Sequence, residues 1–192
     1  MSVILGYHTK DKIVIASDNR ISDENGHKKS DVEKKIVLFN SQLCVATAGN
    51  RFGYLILESI YKQNNMQDFY MEDFANKITE LYRNNRDNIF FKLPIHYIMG
   101  GKTKEGNHAM FAIDAIDGNL KPVPCVKILY PPDGLGSEVT NKIFDKNIIK
   151  HPEDFYIRTI HKISHKNKFV SHSGDVWIYN IENGDGEIKH FK

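Results

Sequence analysis

The chain has 192 residues, of which 41% are hydrophobic and 26% charged, and its net charge is +2. This length and composition predict a single globular domain, residues 1–192, with a sizeable core. So small a net charge does not favour binding to nucleic acid or to an anionic membrane. No apolar run approaches the roughly 18 residues that a membrane-spanning helix requires.

The start of the chain does not have the pattern of a secretory signal peptide. Cys44 and Cys125 lie in strand-like runs and are best explained as buried, reduced packing residues. These features favour a cytoplasmic protein. A catalytic cysteine is a weaker interpretation, because neither cysteine has an obvious base beside it in sequence.

Two strands joined by a short hairpin loop are predicted at the start of the chain, Ser2–His8 and Lys12–Arg20. The second is apolar on both faces, which is typical of a strand buried between two layers. Asp18 lies near the end of this strand. Because an unpaired buried carboxylate is costly, we expect Asp18 to have a cationic partner.

The next segments predict two strands and then two helices. The polar stretch Glu24–Lys29 reads as a solvated loop, and apolar strands at Ile36–Phe39 and Gln42–Ala48 follow it. The first helix is predicted from Asn50, as its N-cap, to Lys62, and the second from Met71 to Arg83. The first helix is apolar on more than one face, at Tyr54, Leu57 and Tyr61 among others, which favours a homo-oligomer.

Strands, two more helices and final strands are predicted in the second half of the chain. They cover Ile95–Met99, Ala109–Ile113, Val126–Tyr130, helices Val139–Ile149 and Pro152–His165, then Val176–Ile181 and a closing strand to Phe191. This order is not a βαβ alternation. Two antiparallel sheets packed face to face, with a helix pair outside each, would use these elements economically. The predicted fold is therefore an α+β, four-layer αββα sandwich.

An ordered set of motifs resembles the proteasome β subunits and their bacterial relatives, the N-terminal-nucleophile (Ntn) hydrolases. The set is a small residue near the N-terminus, Asp18-x-Arg20 after the second strand, Lys34-Lys35 at the next, and Gly49 before a helix. The spacing agrees except for one extra residue before Lys35. The resemblance covers most of the chain and implies the same αββα fold.

The resemblance also implies a catalytic mechanism. In that family the mature first residue is the nucleophile, and its free α-amine accepts the hydroxyl proton. Aligning Gly6 with the small residue of the family's first strand places Ser2 at the nucleophile position, where the family usually has Thr. Ser2 would act only after removal of Met1. Otherwise it is merely a common residue after an initiator methionine.

Four further residues match positions of the family's active site. Lys35 matches the lysine that lowers the pKa of the nucleophile and amine, and Asp18 would pair with it. Gly49 matches the oxyanion donor, and Ser173 matches the serine close to the amine. Three of them also have a plainer explanation: Lys35 as a surface lysine at a strand start, Gly49 as a turn glycine and Ser173 as an ordinary loop serine.

Two positions depart from the family pattern. Leu135 stands where the family has a serine in Gly-Ser-Gly, and Val170 stands where it has a supporting aspartate. The departures favour either a variant site that uses Ser137 or a subunit that no longer cuts. The alternatives to a peptide-cleaving hydrolase are thus a non-catalytic scaffold or assembly subunit and a small-molecule amidase.

The expected partners are a peptide or protein substrate and further copies of the chain in a ring or stacked assembly. An ATPase partner is possible, and its identity cannot be inferred from the sequence. We expect no cofactor and no metal. His161 and His165 have helical i, i+4 spacing, but no acidic or Cys partner is close in sequence, so a solvent-facing pair is expected.

Overall fold

A computed structural model of the chain describes residues 3–23, 25, 27–115, 120–130 and 152–192. The helices are α1 Phe52–Gln63, α2 Met71–Asn84 and α3 Pro152–Lys166, with a 3-10 turn at Ile89–Lys92. The strands are β1 Ile4–His8, β2 Lys12–Asp18, β3 Ile21–Ser22, β4 Lys28–Ser30, β5 Ile36–Asn40, β6 Leu43–Gly49, β7 Ile95–Lys102, β8 His108–Ala115, β9 Val123–Pro124, β10 Lys127–Tyr130, β11 Gly174–Asn180 and β12 Asp185–Phe191. The predicted helix Val139–Ile149 lies outside the described residues.

The strands form two five-stranded sheets and one small hairpin. The first sheet has the order β10-β1-β2-β11-β12 and the second has the order β5-β6-β7-β8-β9, while β3 pairs with β4. Neighbouring strands in the described sheets are antiparallel. The prediction of an α+β fold built on two antiparallel sheets is confirmed.

The two faces of β2 explain why this strand is apolar throughout. Ile13 and Ile15 point between the two sheets, where they pack with Cys44, Ile98 and Trp177. Val14 and Ala16, on the opposite face, pack against α3 with Ile160 and Ile163. Burial on both faces removes the alternation of polar and apolar residues that a half-exposed strand shows.

Helices α1 and α2 cover the outer face of the second sheet. Ile56 and Leu57 of α1, with Phe74 and Ile78 of α2, pack around the buried ring of Tyr97 on β7. Together with α3 on the first sheet, the described elements form helix, sheet, sheet and helix layers in that order. These layers bring the ends of β2, β5 and β6 to one side of the sandwich.

Two strand boundaries differ from the sequence prediction. Strand β7 does not stop at Gly100-Gly101 but continues to Lys102. At Gly100 an added Cβ would lie 2.8 Å from the Ile13 side chain, so the glycine permits close approach of the two sheets. The stretch Glu24–Lys29 is not only a loop, since β4 begins within it and pairs with β3. Its polar composition gave no strand signal.

Helix α1 begins slightly later than predicted and buries a different face. Arg51 occupies the N-cap position, although the Asn50 side chain does accept a hydrogen bond from Phe52 N at 2.9 Å. Leu57 is fully buried, whereas Leu55 is 48% exposed and Tyr61 is 44% exposed. The apolar surface that α1 leaves in water is therefore centred on Leu55 and Tyr61 rather than on Leu57.

Two further findings concern the expected environment of the chain. Cys44 is buried and Cys125 is half-buried, and both are free thiols. Burial raises the pKa of each thiol, that of Cys125 to about 11, which argues against either as a nucleophile. Within the described part of the chain, no helix is both long and apolar enough to cross a lipid bilayer.

Candidate active site

The carboxylate of Asp18 is fully buried and accepts four hydrogen bonds. Its Oδ1 accepts from Val3 N and from the Lys35 ammonium, each at 2.8 Å. Its Oδ2 accepts from Arg20 N at 3.0 Å and from Ser171 N at 3.3 Å. The buried carboxylate therefore has the cationic partner expected from the sequence, Lys35, and three backbone donors besides.

Lys35 is the buried member of the Lys34-Lys35 pair, and it lies immediately before β5. Its side chain is only 6% exposed, whereas Lys34 is exposed. Burial lowers the pKa of the Lys35 ammonium, and the nearby Asp18 carboxylate opposes that effect. The Lys35 carbonyl also accepts a hydrogen bond from Thr47 N at 2.9 Å, which joins the lysine to β6.

Gly49 ends β6 in a conformation that suits glycine. Its φ is 92°, in the left-handed region, and an added Cβ would lie 2.4 Å from the carbonyl oxygen of Pro94. The same oxygen accepts a hydrogen bond from Asn50 N at 3.2 Å. The turn from β6 into α1 therefore requires glycine here, whatever else Gly49 does.

Ser173 is joined to Asp18 through its neighbours. Its Oγ donates to the carbonyl of Asp31 at 3.3 Å and lies 3.4 Å from Ser171 Oγ. Its carbonyl accepts from Asn19 N at 3.1 Å and from Ser171 Oγ at 2.6 Å. The loop before β11 is thereby fastened to the end of β2, next to the Asp18 carboxylate.

Sequence reasoning missed Ser171. Its backbone N–H reaches Asp18 Oδ2, and its Oγ also accepts from Asn19 N at 3.1 Å. Val170, at the position of the family's aspartate, is fully buried in the apolar core beneath α3. The polar contact to Asp18 from this part of the loop is thus made by Ser171 and not by Val170. A Ser-x-Ser pattern before a strand was the only available signal.

Arg20 and Asp31 form a second ion pair beside the first. Arg20 Nε and one terminal nitrogen donate to the two carboxylate oxygens of Asp31 at 2.7 and 2.9 Å. The hydrogen bond from Arg20 holds the pKa of Asp31 below its usual value. Arg20 also donates to the carbonyl of Lys168 at 3.0 Å, so it links the loop after β4 to the loop after α3.

A small cavity of about 70 Å³ opens beside the Lys35–Asp18 pair. Lys35 and Gly49 both line it, together with residues of the β2–β3 segment and the start of α1. Lys35, Gly49 and the cavity are therefore brought together, although 14 positions separate the two residues in sequence. Ser2 and the segment containing Leu135 and Ser137 lie outside the described residues.

The histidine pair on α3 has a third histidine beside it. The His172 ring lies 4.7 Å from the His165 ring and 5.8 Å from the His161 ring, measured between centroids. His165 is exposed, but His161 is half-buried and its Nε2 has no partner among the described atoms. The solvent-facing prediction is therefore wrong for His161. In the described residues no three ligands are arranged to hold a metal ion.

Comparison with known proteins identifies the fold. No protein-family model matches the sequence, and a search of curated protein sequences finds no match. Among solved structures, an Anbu (Gly-1) mutant from Hyphomicrobium sp. strain MC1 is similar with a TM-score of 0.76 and 16% identity, over 99% of this chain and 87% of that one. Anbu from Yersinia bercovieri, named an ancestral beta-subunit, has a TM-score of 0.72 and 17% identity, over 97% and 86%.

Both similarities extend over nearly the whole chain, so the predicted proteasome-β-like αββα fold is confirmed. At 16–17% identity they concern the fold alone. The chemistry of the site has to be argued from its own residues.

Proposed function

We propose that this protein is an Ntn hydrolase of the proteasome β type that cleaves peptide bonds, with Ser2 as the nucleophile after removal of Met1. One observation carries the proposal: the buried Lys35–Asp18 pair is hydrogen-bonded directly to Val3 N. Structural ion pairs are common, but here a buried ammonium adjoins the residue that follows the candidate nucleophile.

Covalent geometry limits the position of the nucleophile. Ser2 is bonded to Val3, and consecutive Cα atoms of a trans peptide are about 3.8 Å apart. Val3 N lies 2.8 Å from the same carboxylate oxygen that binds Lys35. This supports a nucleophile within a side chain's length of the ammonium. An α-amine ordinarily titrates near about 7.7–8.0, so the amine that removal of Met1 leaves on Ser2 is suited to act as a base at neutral pH.

The reaction follows from these groups. Ser2 Oγ attacks the substrate carbonyl while its proton passes to the α-amine, and the amine then protonates the leaving nitrogen as the C–N bond breaks. Water attacks the resulting ester, giving its proton to the amine, and Ser2 Oγ regains a proton as the acid leaves. The Lys35 charge favours the ionised oxygen in both steps, and the Gly49 N–H is proposed to bind the oxyanion.

Ser173 and Ser171 have supporting roles in this proposal. Their hydrogen bonds hold the loop before β11 against Asn19 and Asp18. Ser173 Oγ is proposed to hydrogen-bond the free α-amine and so orient it. Ser171 then acts as a positioning residue for Asp18, through its backbone N–H.

A second candidate function is a non-catalytic scaffold or assembly subunit with this fold. The observation in its favour is Val170, which is fully buried in an apolar core where the family has a supporting carboxylate. A buried Val cannot take part in a proton network. The two candidates differ in whether processed protein cuts any peptide.

We further propose that the protein is a cytoplasmic homo-oligomer, in a ring or a stacked assembly. Leu55 and Tyr61 leave apolar surface on α1, and the Yersinia protein of the same fold is named a beta-subunit. Sedimentation at micromolar concentration should show an assembly larger than one chain. Leu55→Glu should weaken it, whereas a monomeric wild type would contradict the proposal.

The proposed reaction is tested on processed protein. Intact mass measures whether Met1 is lost in the native cell. Protein lacking Met1 is then incubated with a peptide library beside a Ser2→Ala variant, in which Met1 removal remains possible. Cleavage by wild type alone supports Ser2 as nucleophile, and equal cleavage by both rejects it. No cleavage by fully processed wild type favours the scaffold.

A further inference from the structure

We propose that the cavity beside Lys35 and Gly49 selects peptides with an acidic side chain, Asp or Glu, immediately before the cleaved bond. The inference deepens the proposed function and rests on it. In the proposed reaction the substrate carbonyl lies at the Gly49 N–H and is attacked from the side of Lys35. The side chain of the same substrate residue then enters the cavity that Lys35 and Gly49 line.

The size of the cavity favours one side chain over a whole small molecule. It measures about 70 Å³, whereas pockets for small molecules typically measure roughly 300–1,000 Å³. The cavity therefore fits the side chain of a residue whose main chain lies outside it. This favours a peptide substrate over the small-molecule amidase considered from the sequence.

The charges that line the cavity are mainly positive. Its lining contains four cations, Arg20, Lys34, Lys35 and Arg51, against one carboxylate, Glu33. Three of the cations have acidic partners: Arg20 with Asp31, Lys35 with Asp18, and Arg51 with Glu33 at 2.8 Å. Lys34 forms no ion pair with the residues that the structure describes.

A carboxylate entering the cavity would thus meet one uncompensated ammonium. Lys34 is exposed, and its long side chain can follow a ligand. A basic substrate side chain would instead have only Glu33 to bind, and Glu33 already accepts a hydrogen bond from Arg51. The charge balance therefore opposes a basic side chain and favours an acidic one.

Arg51 is the second group that can bind the substrate carboxylate. The Arg51 side chain is 62% exposed and that of Glu33 is 22% exposed, so water reaches the guanidinium and weakens the pair. A guanidinium has five N–H donors, and the bond to Glu33 Oε1 uses only one of its nitrogens. Arg51 can therefore bind a substrate carboxylate without fully releasing Glu33.

The test compares peptides that are identical except for Glu or Gln before the cleaved bond, with Lys at that position as the opposite charge. For protein lacking Met1, we expect kcat/KM for Glu to exceed that for Gln by about tenfold or more, mostly through KM, as for a charge-assisted hydrogen bond. The preference should shrink as salt concentration rises. Equal cleavage of the Glu and Gln peptides overturns the proposal.

Three variants separate the cavity from the general charge of the protein. Lys34→Gln and Arg51→Gln should each reduce the Glu/Gln ratio several-fold, and Arg51→Glu should favour the Lys peptide. The control is Lys77→Gln on α2, an exposed lysine outside this cavity that pairs with Glu80. An unchanged ratio in both Lys34→Gln and Arg51→Gln overturns the proposal.

A binding measurement keeps this test distinct from that of the proposed function. Fluorescently labelled Glu and Gln peptides are titrated against the processed Ser2→Ala variant, and anisotropy reports their Kd values. Tighter binding of the Glu peptide supports the acidic selectivity even if the wild type cuts nothing, in which case only the hydrolase proposal fails. Equal Kd values overturn the selectivity even if the wild type is an active peptidase.

Discussion

The Lys35 ammonium lies 2.8 Å from Asp18 Oδ1 in a site where the two side chains are 6% and 0% exposed. Desolvation lowers the pKa of a lysine so buried, and the Asp18 carboxylate opposes that effect. The same oxygen accepts a hydrogen bond from Val3 N, so the first described residue of the chain depends on this pair for its position.

Breaking the pair should destabilise the fold. Loss of one partner from a buried ion pair commonly costs about 3–5 kcal/mol. We expect Lys35→Met to fall near the lower end, because Asp18 keeps three backbone N–H donors, from Val3, Arg20 and Ser171. Urea unfolding measures the change, with exposed Lys34→Met as the matched control.

The double variant Asp18→Asn with Lys35→Met tests whether the two residues act as a unit. Its loss of unfolding free energy should be smaller than the sum of the two single losses, since each single change leaves a buried charge without its partner. Additive losses would mean that the pair contributes no coupling energy. The contact would then be incidental to stability.

The same pair predicts an order of effects on activity. Lys35→Ala should reduce peptide cleavage by about 10²–10³-fold, the usual loss for a positioned charge or donor. Asp18→Asn should reduce it less, because the lysine remains but is less firmly held. The rate constants are measured on protein lacking Met1, with Lys77→Ala as control. A larger effect of Asp18→Asn would contradict the assigned roles.

Sequence alone predicted the layers well, because burial leaves a strong periodic signal. Helix α2 was placed to within one residue, and both faces of β2 were recognised as buried. Helix α1 was harder, since apolar residues surround it and pattern alone could not separate buried Leu57 from exposed Leu55. Strands β3 and β4 were missed, because β3 has only two residues and β4 is polar.

The candidate site was only partly predictable. The cost of burying a carboxylate predicted a cation for Asp18, but choosing Lys35 over Lys34 required the family resemblance. Ser171 was missed because it reaches Asp18 through its backbone N–H across 153 positions of sequence, and no residue pattern encodes such a contact. The charge balance of the cavity could not be predicted either, because it depends on which carboxylate pairs with each cation in the folded chain.

Gly49 provides a test of backbone geometry with a natural control. Both Gly49 and Gly106 have positive φ, 92° and 86°. An alanine in the left-handed region costs about 1–2 kcal/mol. At Gly106 the added Cβ would have open space apart from Lys102 Cε at 4.0 Å, whereas at Gly49 it would overlap Pro94 O. Gly49→Ala should therefore lower the unfolding free energy more than Gly106→Ala, and equal losses would contradict this geometry.

The last prediction concerns alkaline pH. Tyr97 and Tyr156 are almost completely buried, and burial raises the pKa of each phenol well above its ordinary value of 10.0. Below that value both states keep the phenol protons. As pH rises above it, the unfolded chain ionises first, so the free energy of unfolding falls, by up to about 1.4 kcal/mol per pH unit for each phenol.

Lys35 has the opposite effect on stability. Its pKa is lowered in the folded protein, so the folded chain loses this proton before the unfolded chain does. Its contribution to the free energy of unfolding therefore rises with pH below the ordinary pKa of 10.5. It is a single group, whereas burial raises the pKa of Tyr97, Tyr156 and other phenols and thiols, so the net stability should still fall above pH 10. Urea unfolding between about pH 9 and 11 measures the slope. Tyr97→Phe should reduce that slope by about 0.7 kcal/mol per pH unit averaged over this range, since the full value of about 1.4 is reached only well above pH 10. Tyr61→Phe, at a ring 44% exposed, is the control. An unchanged slope in Tyr97→Phe would mean that this phenol ionises alike in the folded and unfolded chains.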